Sequence, residues 1–81
     1  MPYVEQERRR SLLAGAATNL SAGDLNFVIT MECLGFLGDS PRYADFNAVI
    51  GALECAKLEM YRRMVAPYED GKILANGDVY P

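Results

Sequence analysis

The chain has 81 residues, of which 51% are hydrophobic and 23% charged, and its net charge is −3. This length predicts one domain, residues 1–81, whose own core buries only about 60 to 65% of the unfolded surface. The composition excludes intrinsic disorder and offers no apolar run that would span a membrane. Because histidine is absent and the two cysteines stand apart, an ordinary zinc site and a histidine base are excluded. The acidic charge argues against a protein that coats nucleic acid, so no direct DNA binding and no membrane binding are expected.

Charged helix formers from residue 5 onward, followed by leucine and alanine, predict a first helix that ends near Thr18 or Asn19. Arg9 and Arg10 ahead of Leu12–Ala17 have the form of a twin-arginine export signal. That apolar run is shorter than the roughly 7 to 15 residues such a signal needs, and acidic residues precede the arginines. We therefore interpret the segment as a helix with a charged first turn, and we expect a cytoplasmic protein.

A second helix is predicted from Ser21 onward. Ser21 and Asp24 have the spacing of a capping box, and the apolar stretch Leu25–Leu37 follows at once. This helix is apolar on nearly every side, so we expect it to be covered on more than one face. Asn26 and Thr30 lie one turn apart on it, where they either fix the register or an oligomer axis, or line a pocket.

The third predicted helix is the longest. Ser40 and Pro41 suit its cap and first turn, and it runs over Tyr43–Ala66. Pro67 predicts a kink or a stop, followed by a short helical extension over Tyr68–Asn76. Large apolar residues recur at spacings of three and four and predict a face in the core: Phe46, Ile50, Leu53, Met60 and Met64, with Val49, Tyr61 and Val65 beside them.

A second face of the third helix carries small residues at fourfold spacing, namely Ala48, Ala52 and Ala56 beside Asn47, Gly51 and Cys55. Gly51 costs about 1 kcal/mol against alanine inside a helix, which is easiest to understand if another backbone packs closely there. That backbone belongs either to Ala14–Ala17 or to the same helix of a second subunit. We therefore predict a helical homo-oligomer whose interface includes Asn26, Thr30, Asn47, Gly51 and Cys55. In a cytoplasmic protein Cys33 and Cys55 are small buried hydrophobes, although a disulfide between them stays open.

The second half of the chain has one local basic cluster, formed by Lys57, Arg62 and Arg63 with Tyr61 and Tyr68. Arginine binds phosphate or carboxylate through two hydrogen bonds and tyrosine offers a flat face to a base, so these residues are candidates for binding a nucleotide. The alternative is ordinary ion pairing on a solvated helix, because Glu54 and Glu59 precede the basic residues by three or four positions.

The acidic residues near the C-terminus, Glu69, Asp70 and Asp78, are interpreted as a solvated tail rather than a metal site or a catalytic carboxylate pair. No nucleophile with a base, metal set or phosphate loop can be assembled from these residues. We expect a protein that is not an enzyme and that uses no cofactor and no metal.

The chain resembles a small uncharacterised family that occurs in bacteriophages, prophages and bacteria. The resemblance is carried by Met1–Val4, by Gly23–Thr30, by Ala44–Asn47, Val49–Cys55, Lys57–Arg63 and Val65–Asp70, and by the closing Asn76–Tyr80. It implies a phage or mobile-element setting, and hence the host cytoplasm. By analogy with small phage proteins that lack catalytic signatures, it also implies an action on host defences.

Two functions of different class follow for this all-α domain. In the first, a homo-oligomer sequesters an anionic, nucleotide-like ligand with the basic cluster. In the second, the protein is an inhibitor or adaptor that binds a host or phage protein through its helical surface and its C-terminal tail.

Overall fold

The protein is described here from a computed structural model, in which residues 4–15 and 20–81 are placed well enough to describe. Within these ranges all regular structure is helical and no strand is present, as the sequence predicts. The elements are α1 (Gln6–Leu13), α2 (Ala22–Leu37), α3 (Tyr43–Met60), a π-helical turn (Tyr61–Val65) and α4 (Ala66–Asn76). They form two compact units, Met1–Arg42 and Tyr43–Pro81, each described by itself.

Helix α1 ends at Leu13, earlier than the sequence predicts. The backbone of Gly15 adopts φ +72°, a left-handed conformation that a right-handed helix cannot continue through and that glycine adopts at little cost. Its N–H donates to the carbonyl of Leu12 and so closes the last turn. Thr18 and Asn19, where the predicted helix ends, lie outside the described residues.

The first unit has a small apolar core between α1 and α2. Among the described residues, Val4, Leu12 and Phe27 are its buried apolar side chains, and Val28 and Met31 pack against them. The segment before α1 is held in place because the Arg9 Nε donates to the carbonyl oxygen of Val4 at 2.7 Å. One phenylalanine and two aliphatic side chains make a core close to the lower limit for stable folding.

Helix α2 begins with the predicted capping box. The Asp24 N–H donates to the Ser21 Oγ at 3.1 Å, and the Ser21 N–H donates to the Asp24 Oδ2 at 3.0 Å. The helix ends at Leu37, before Gly38 with φ +68°. The expected cover on several faces is absent among the described residues, since only Asp24 and Phe27 of α2 are buried.

Helix α3 begins at Tyr43, the first residue of the predicted range, but the predicted cap and first turn at Ser40 and Pro41 are not part of it. Pro41 therefore precedes the helix instead of occupying its first turn, and Ser40 is too far ahead to hold the N-cap position. Proline restricts the residue before it to extended conformations, which agrees with a non-helical Ser40.

The helix does not stop at Pro67, so that part of the prediction is wrong. The π-helical turn leads directly into α4, and Met60, Val65 and Ala66 all keep right-handed helical dihedrals. The Ala66 N–H donates to the Tyr61 carbonyl, five residues back. Pro67 then occupies the first turn of α4, where a residue without an N–H is tolerated. A kink at this point stays a prediction.

The second unit contains no buried residue. We call the following residues the apolar stripe: Phe46, Val49, Ile50, Leu53, Met60, Tyr61, Met64 and Val65. Its exposed members range from 39% exposed at Leu53 to 67% at Met64. The prediction that this face lies in a core is therefore not met within the described chain, and completion of the core by an oligomer stays a prediction.

Candidate functional site

The predicted ligand-binding residues all lie on the continuous helix of the second unit. Lys57 is on α3, Arg62 and Arg63 are in the π-helical turn with Tyr61, and Tyr68 is on α4. All five side chains are exposed. The helix thus displays the basic cluster to solvent, and Tyr61 and Arg62 line an open, shallow groove together with Cys55, Leu58 and Glu59.

Each basic residue of the cluster has an acidic neighbour at the spacing read from the sequence. Lys57 Nζ lies 3.1 Å from Glu54 Oε1, whereas Arg62 Nη2 and Arg63 Nε lie 4.0 and 3.9 Å from the same oxygen, Glu59 Oε2. The predicted ion pairing is confirmed. At these exposures such pairs contribute little to stability. The two arginine distances are also too long for hydrogen bonds, so two guanidinium groups share one carboxylate by charge alone.

Tyr61 and Tyr68 each have a partner that sequence analysis missed. The Tyr61 hydroxyl donates a short hydrogen bond to Glu69 Oε1, and the Lys72 ammonium lies 5.5 Å from the Tyr68 ring centroid. The hydrogen bond to Glu69, and then the charge of that carboxylate, raise the pKa of Tyr61 above 10.0.

The π-helical turn explains why the Tyr61–Glu69 contact is possible. In a regular α-helix, residues eight apart are rotated by about 80° and do not face each other. A π turn adds one residue, so the pair acquires approximately the register of residues seven apart, which share a face. Spacing in the sequence alone gives no signal for this pair, because the π turn is not predicted.

The predicted interface residues of α2 interact with each other. The Thr30 Oγ1 lies 2.9 Å from the Asn26 carbonyl oxygen, to which it donates, and 3.5 Å from Asn26 Oδ1. Asn26 is exposed and Thr30 half-buried. The Thr30 hydroxyl is satisfied by its own helix, so it does not need a partner chain to be paired.

The predicted interface residues of α3, Asn47, Gly51 and Cys55, are all exposed. A Cβ built on Gly51 meets no atom of the described chain within 4 Å beyond its own helix. The close backbone expected at Gly51 is therefore absent among the described residues. Cys33 is half-buried and Cys55 exposed, and both are free thiols, which corrects the expectation that both are buried.

A charged hydrogen-bonded contact joins α1 to α2, and sequence analysis missed it. Arg8 Nε and Nη2 donate to Asp24 Oδ2 at 3.0 and 2.8 Å, and the same oxygen accepts from the Ser21 N–H. The Arg8 hydrogen bond, followed by that from Ser21, lowers the pKa of Asp24 from 3.8 to about 2. Asp24 thus both caps α2 and binds Arg8 of α1. The spacing of residues in the sequence indicates only the cap.

The C-terminal tail follows α4 at Gly77, whose φ is +85°. The Tyr80 N–H donates to Asp78 Oδ1 at 3.0 Å, while the side chains of Val79 and Tyr80 are 93% and 80% exposed. An open, shallow groove runs between the tail and the last turns of α4. The part of the chain that the sequence predicts to be a solvated acidic tail therefore has two parts. It is helical up to Asn76, and the five residues that follow form an exposed segment.

The described residues contain no group of three or more side chains that could hold a metal ion. Nor is any described helix long and apolar enough to cross a membrane. The arrangement is that of an all-α protein whose long C-terminal helix presents apolar, basic and acidic groups to its surroundings.

The family described as a domain of unknown function (DUF6899) matches residues 1–79. The chain therefore belongs to this family, which agrees with the resemblance to an uncharacterised family seen in the sequence. Comparisons with curated proteins and with solved structures gave no match.

Proposed function

We propose that this protein acts without catalysis by binding another polypeptide through the long helix of its second unit, as an inhibitor or adaptor. The observation that carries the proposal is the exposure of the apolar stripe. Seven large apolar or aromatic members of the stripe are 39% or more exposed on one helix. Single exposed hydrophobic residues are ordinary, but a contiguous exposed set of this size is typical of interaction sites.

The charged residues around the stripe also support a role in binding another polypeptide. Ion pairs such as Lys57–Glu54 lie along the same helix, and Glu59 balances two arginines. An apolar centre with a charged margin is the usual anatomy of a protein interface, in which the centre supplies affinity and the margin supplies selectivity.

The test compares three forms of the tagged protein in cells. The stripe variant Ile50→Glu/Met60→Glu introduces charge at two positions that are 65% and 61% exposed. The control Leu74→Glu introduces one such charge on α4 outside the stripe, at a position that is 88% exposed. We expect the wild type and the control to retain the same bound polypeptide and the stripe variant to lose it. Identical capture by all three forms would contradict the proposal.

The tail provides a second candidate contact for the same function. Val79 and Tyr80 are too exposed to stabilise the fold, so removal of residues 77–81 should leave helix content unchanged. If the tail contributes to partner binding, its removal weakens capture as the stripe variant does. Unchanged capture after truncation would assign binding to the helix alone.

Binding of an anionic, nucleotide-like ligand is a second candidate function, favoured by one observation. Arg62 and Arg63 share a single carboxylate at 4.0 and 3.9 Å, so their donors stay available to a phosphate. Two subunits that bring these residues together would create a more strongly basic site than one chain does.

Native mass spectrometry tests this second candidate. A retained mass of nucleotide size should disappear in Arg62→Ala/Arg63→Ala, while the subunit count stays the same. Arg10→Ala is the control, because Arg10 is an exposed basic residue on α1 and does not belong to the cluster. Wild-type protein free of added mass, both as purified and after incubation with a set of nucleotides, would contradict the candidate.

The biological setting is part of the proposal. The resemblance to phage and prophage proteins implies that the chain works in the host cytoplasm and counters a host defence. Occupying a defence protein suits the exposed helix, and sequestering a nucleotide signal suits the arginines. Protection of a phage in a defended host, lost with the stripe variant or with the arginine variant, would show which surface is used.

A further inference from the structure

We propose that the occupant of the apolar stripe is the same helix of a second copy of this chain, packed antiparallel to the first. This inference goes beyond the proposed function: it concerns the same surface but does not depend on a different partner protein. The stripe exposes on the order of 700 Å² of side-chain surface, close to the roughly 800 Å² that each partner contributes to a standard stable interface.

Spacing in the stripe fits helix-on-helix packing. From Phe46 to Leu53 its members are separated by three and four residues, and Met60 follows seven residues, or two turns, later; this is the pattern by which two helices interlock their side chains. Met64 and Val65 lie within the π-helical turn, whose added residue keeps them near the same side as the earlier members. A partner helix of equal length and equal pattern matches this surface along its whole extent.

Charge favours the antiparallel orientation. Along the stripe, residues 46–55 carry one acidic side chain, a net charge of −1, whereas residues 56–65 carry three basic and one acidic, a net charge of +2. An antiparallel pair places each negative half against a positive half. A parallel pair places +2 against +2, and like charges held along an interface oppose association. Antiparallel packing also aligns the helix dipoles favourably.

The first measurement is the mass of the purified full chain in solution, by light scattering after gel filtration. We expect an even multiple of the chain mass for wild type and Leu74→Glu, and a shift to monomer for Ile50→Glu/Met60→Glu with the helical circular dichroism retained. If the Glu variant loses helix, Ile50→Ala/Met60→Ala replaces it and should raise the dissociation constant by about tenfold or more. A monomeric wild type, or a stripe variant with unchanged mass, overturns the inference.

The second measurement determines orientation. A spin label on Ala44→Cys, in a Cys33→Ala/Cys55→Ala background, reports the distance between equivalent positions of two copies. Antiparallel packing of stripe on stripe places them roughly 35 Å apart, since an α-helix rises 1.5 Å per residue. Parallel packing places them roughly 10 to 20 Å apart. A short distance overturns the antiparallel arrangement.

The two proposals fail separately. Purified protein that is monomeric, but that captures a different polypeptide through the stripe in cells, refutes self-association and leaves the proposed function intact. Protein that neither self-associates nor loses any bound polypeptide in the stripe variant refutes both.

Discussion

At the scale of single residues, Asp24 takes part in two features of the first unit, the start of α2 and the contact between α1 and α2. Its Oδ2 accepts from two nitrogens of Arg8 and from the Ser21 N–H, although its side chain is almost fully shielded from solvent. A shielded carboxylate is tolerated only when its charge is matched and its oxygens are hydrogen-bonded, and Arg8 and Ser21 satisfy both conditions. Replacement of either partner therefore affects the helix start and the α1–α2 contact together.

The lowered pKa of Asp24 predicts a pH dependence of folding. Because its pKa falls from 3.8 to about 2 on folding, the unfolded chain binds more protons than the folded chain between these values. The contribution of Asp24 to the free energy of unfolding is thus fully present above about pH 4 and is lost as the pH falls towards 2. Urea unfolding at a series of pH values should show this loss for wild type, and Asp24→Asn should lack that component.

Glu54→Gln is the matched control for this prediction. Glu54 also pairs with a basic residue, but both side chains are more than half exposed, so the pair contributes little to stability. If the wild-type and Asp24→Asn curves stay parallel between pH 4 and 2, the Arg8–Asp24 contact does not stabilise the fold in solution.

At the scale of secondary-structure elements, the passage of a helix through Pro67 needs explanation. A proline inside a helix lacks one hydrogen bond, and its ring clashes with the carbonyl four residues back. The π-helical turn moves the preceding bond to the longer spacing, from Ala66 to Tyr61, so Pro67 falls where the first turn of a new α-helix lies. The Tyr61–Glu69 hydrogen bond spans the π-helical turn and holds the two helical segments together.

We predict that the helix tolerates proline at position 67 but not in the regular part of α3. Pro67→Ala should change the free energy of unfolding by no more than about 0.5 kcal/mol, because the site is already adapted to a missing donor. Ala52→Pro, an exposed position in the regular part of α3, should cost about 3 kcal/mol or more. Chemical denaturation followed by circular dichroism compares the two. Equal changes in the free energy of unfolding for Pro67→Ala and Ala52→Pro would contradict the idea that the π-helical turn adapts the helix to proline at position 67.

At the scale of the whole molecule, apolar surface greatly exceeds buried core. Only three apolar side chains are buried among the described residues, whereas twenty large hydrophobic ones are exposed. A folded chain of this size has little stability to spare, and a helix without a packed face is marginal in water. Burial of the apolar stripe against a partner is the largest stabilisation available to the second unit.

Stability should therefore depend on protein concentration. Association that occurs only in the folded state raises the apparent stability by mass action. We expect the thermal midpoint of wild type and of Leu74→Glu to fall on dilution, and that of Ile50→Glu/Met60→Glu to be lower and independent of concentration. A wild-type midpoint that is constant over a hundredfold dilution would show that the second unit is stable without a partner.

The sequence by itself determined the features that depend on neighbours within a turn or two of helix. The capping box of Ser21 and Asp24, the end of α2 at Leu37 and the pairing of Glu59 with its arginines were all predictable. Each of these arises from residues three or four apart along one helix, whose geometry is known in advance. The all-α class follows for the same reason.

Only the tertiary structure decided which residues are buried and how distant groups meet. Arg8 and Asp24 are 16 residues apart, and no local pattern pairs them. Phe27 is buried while Phe36 of the same helix is 64% exposed, because α1 covers one part of α2 only. Continuity through Pro67 and the Tyr61–Glu69 contact likewise depend on a backbone adjustment that spacing does not encode. Local propensity specifies elements, whereas burial and pairing depend on which elements the folded chain brings together.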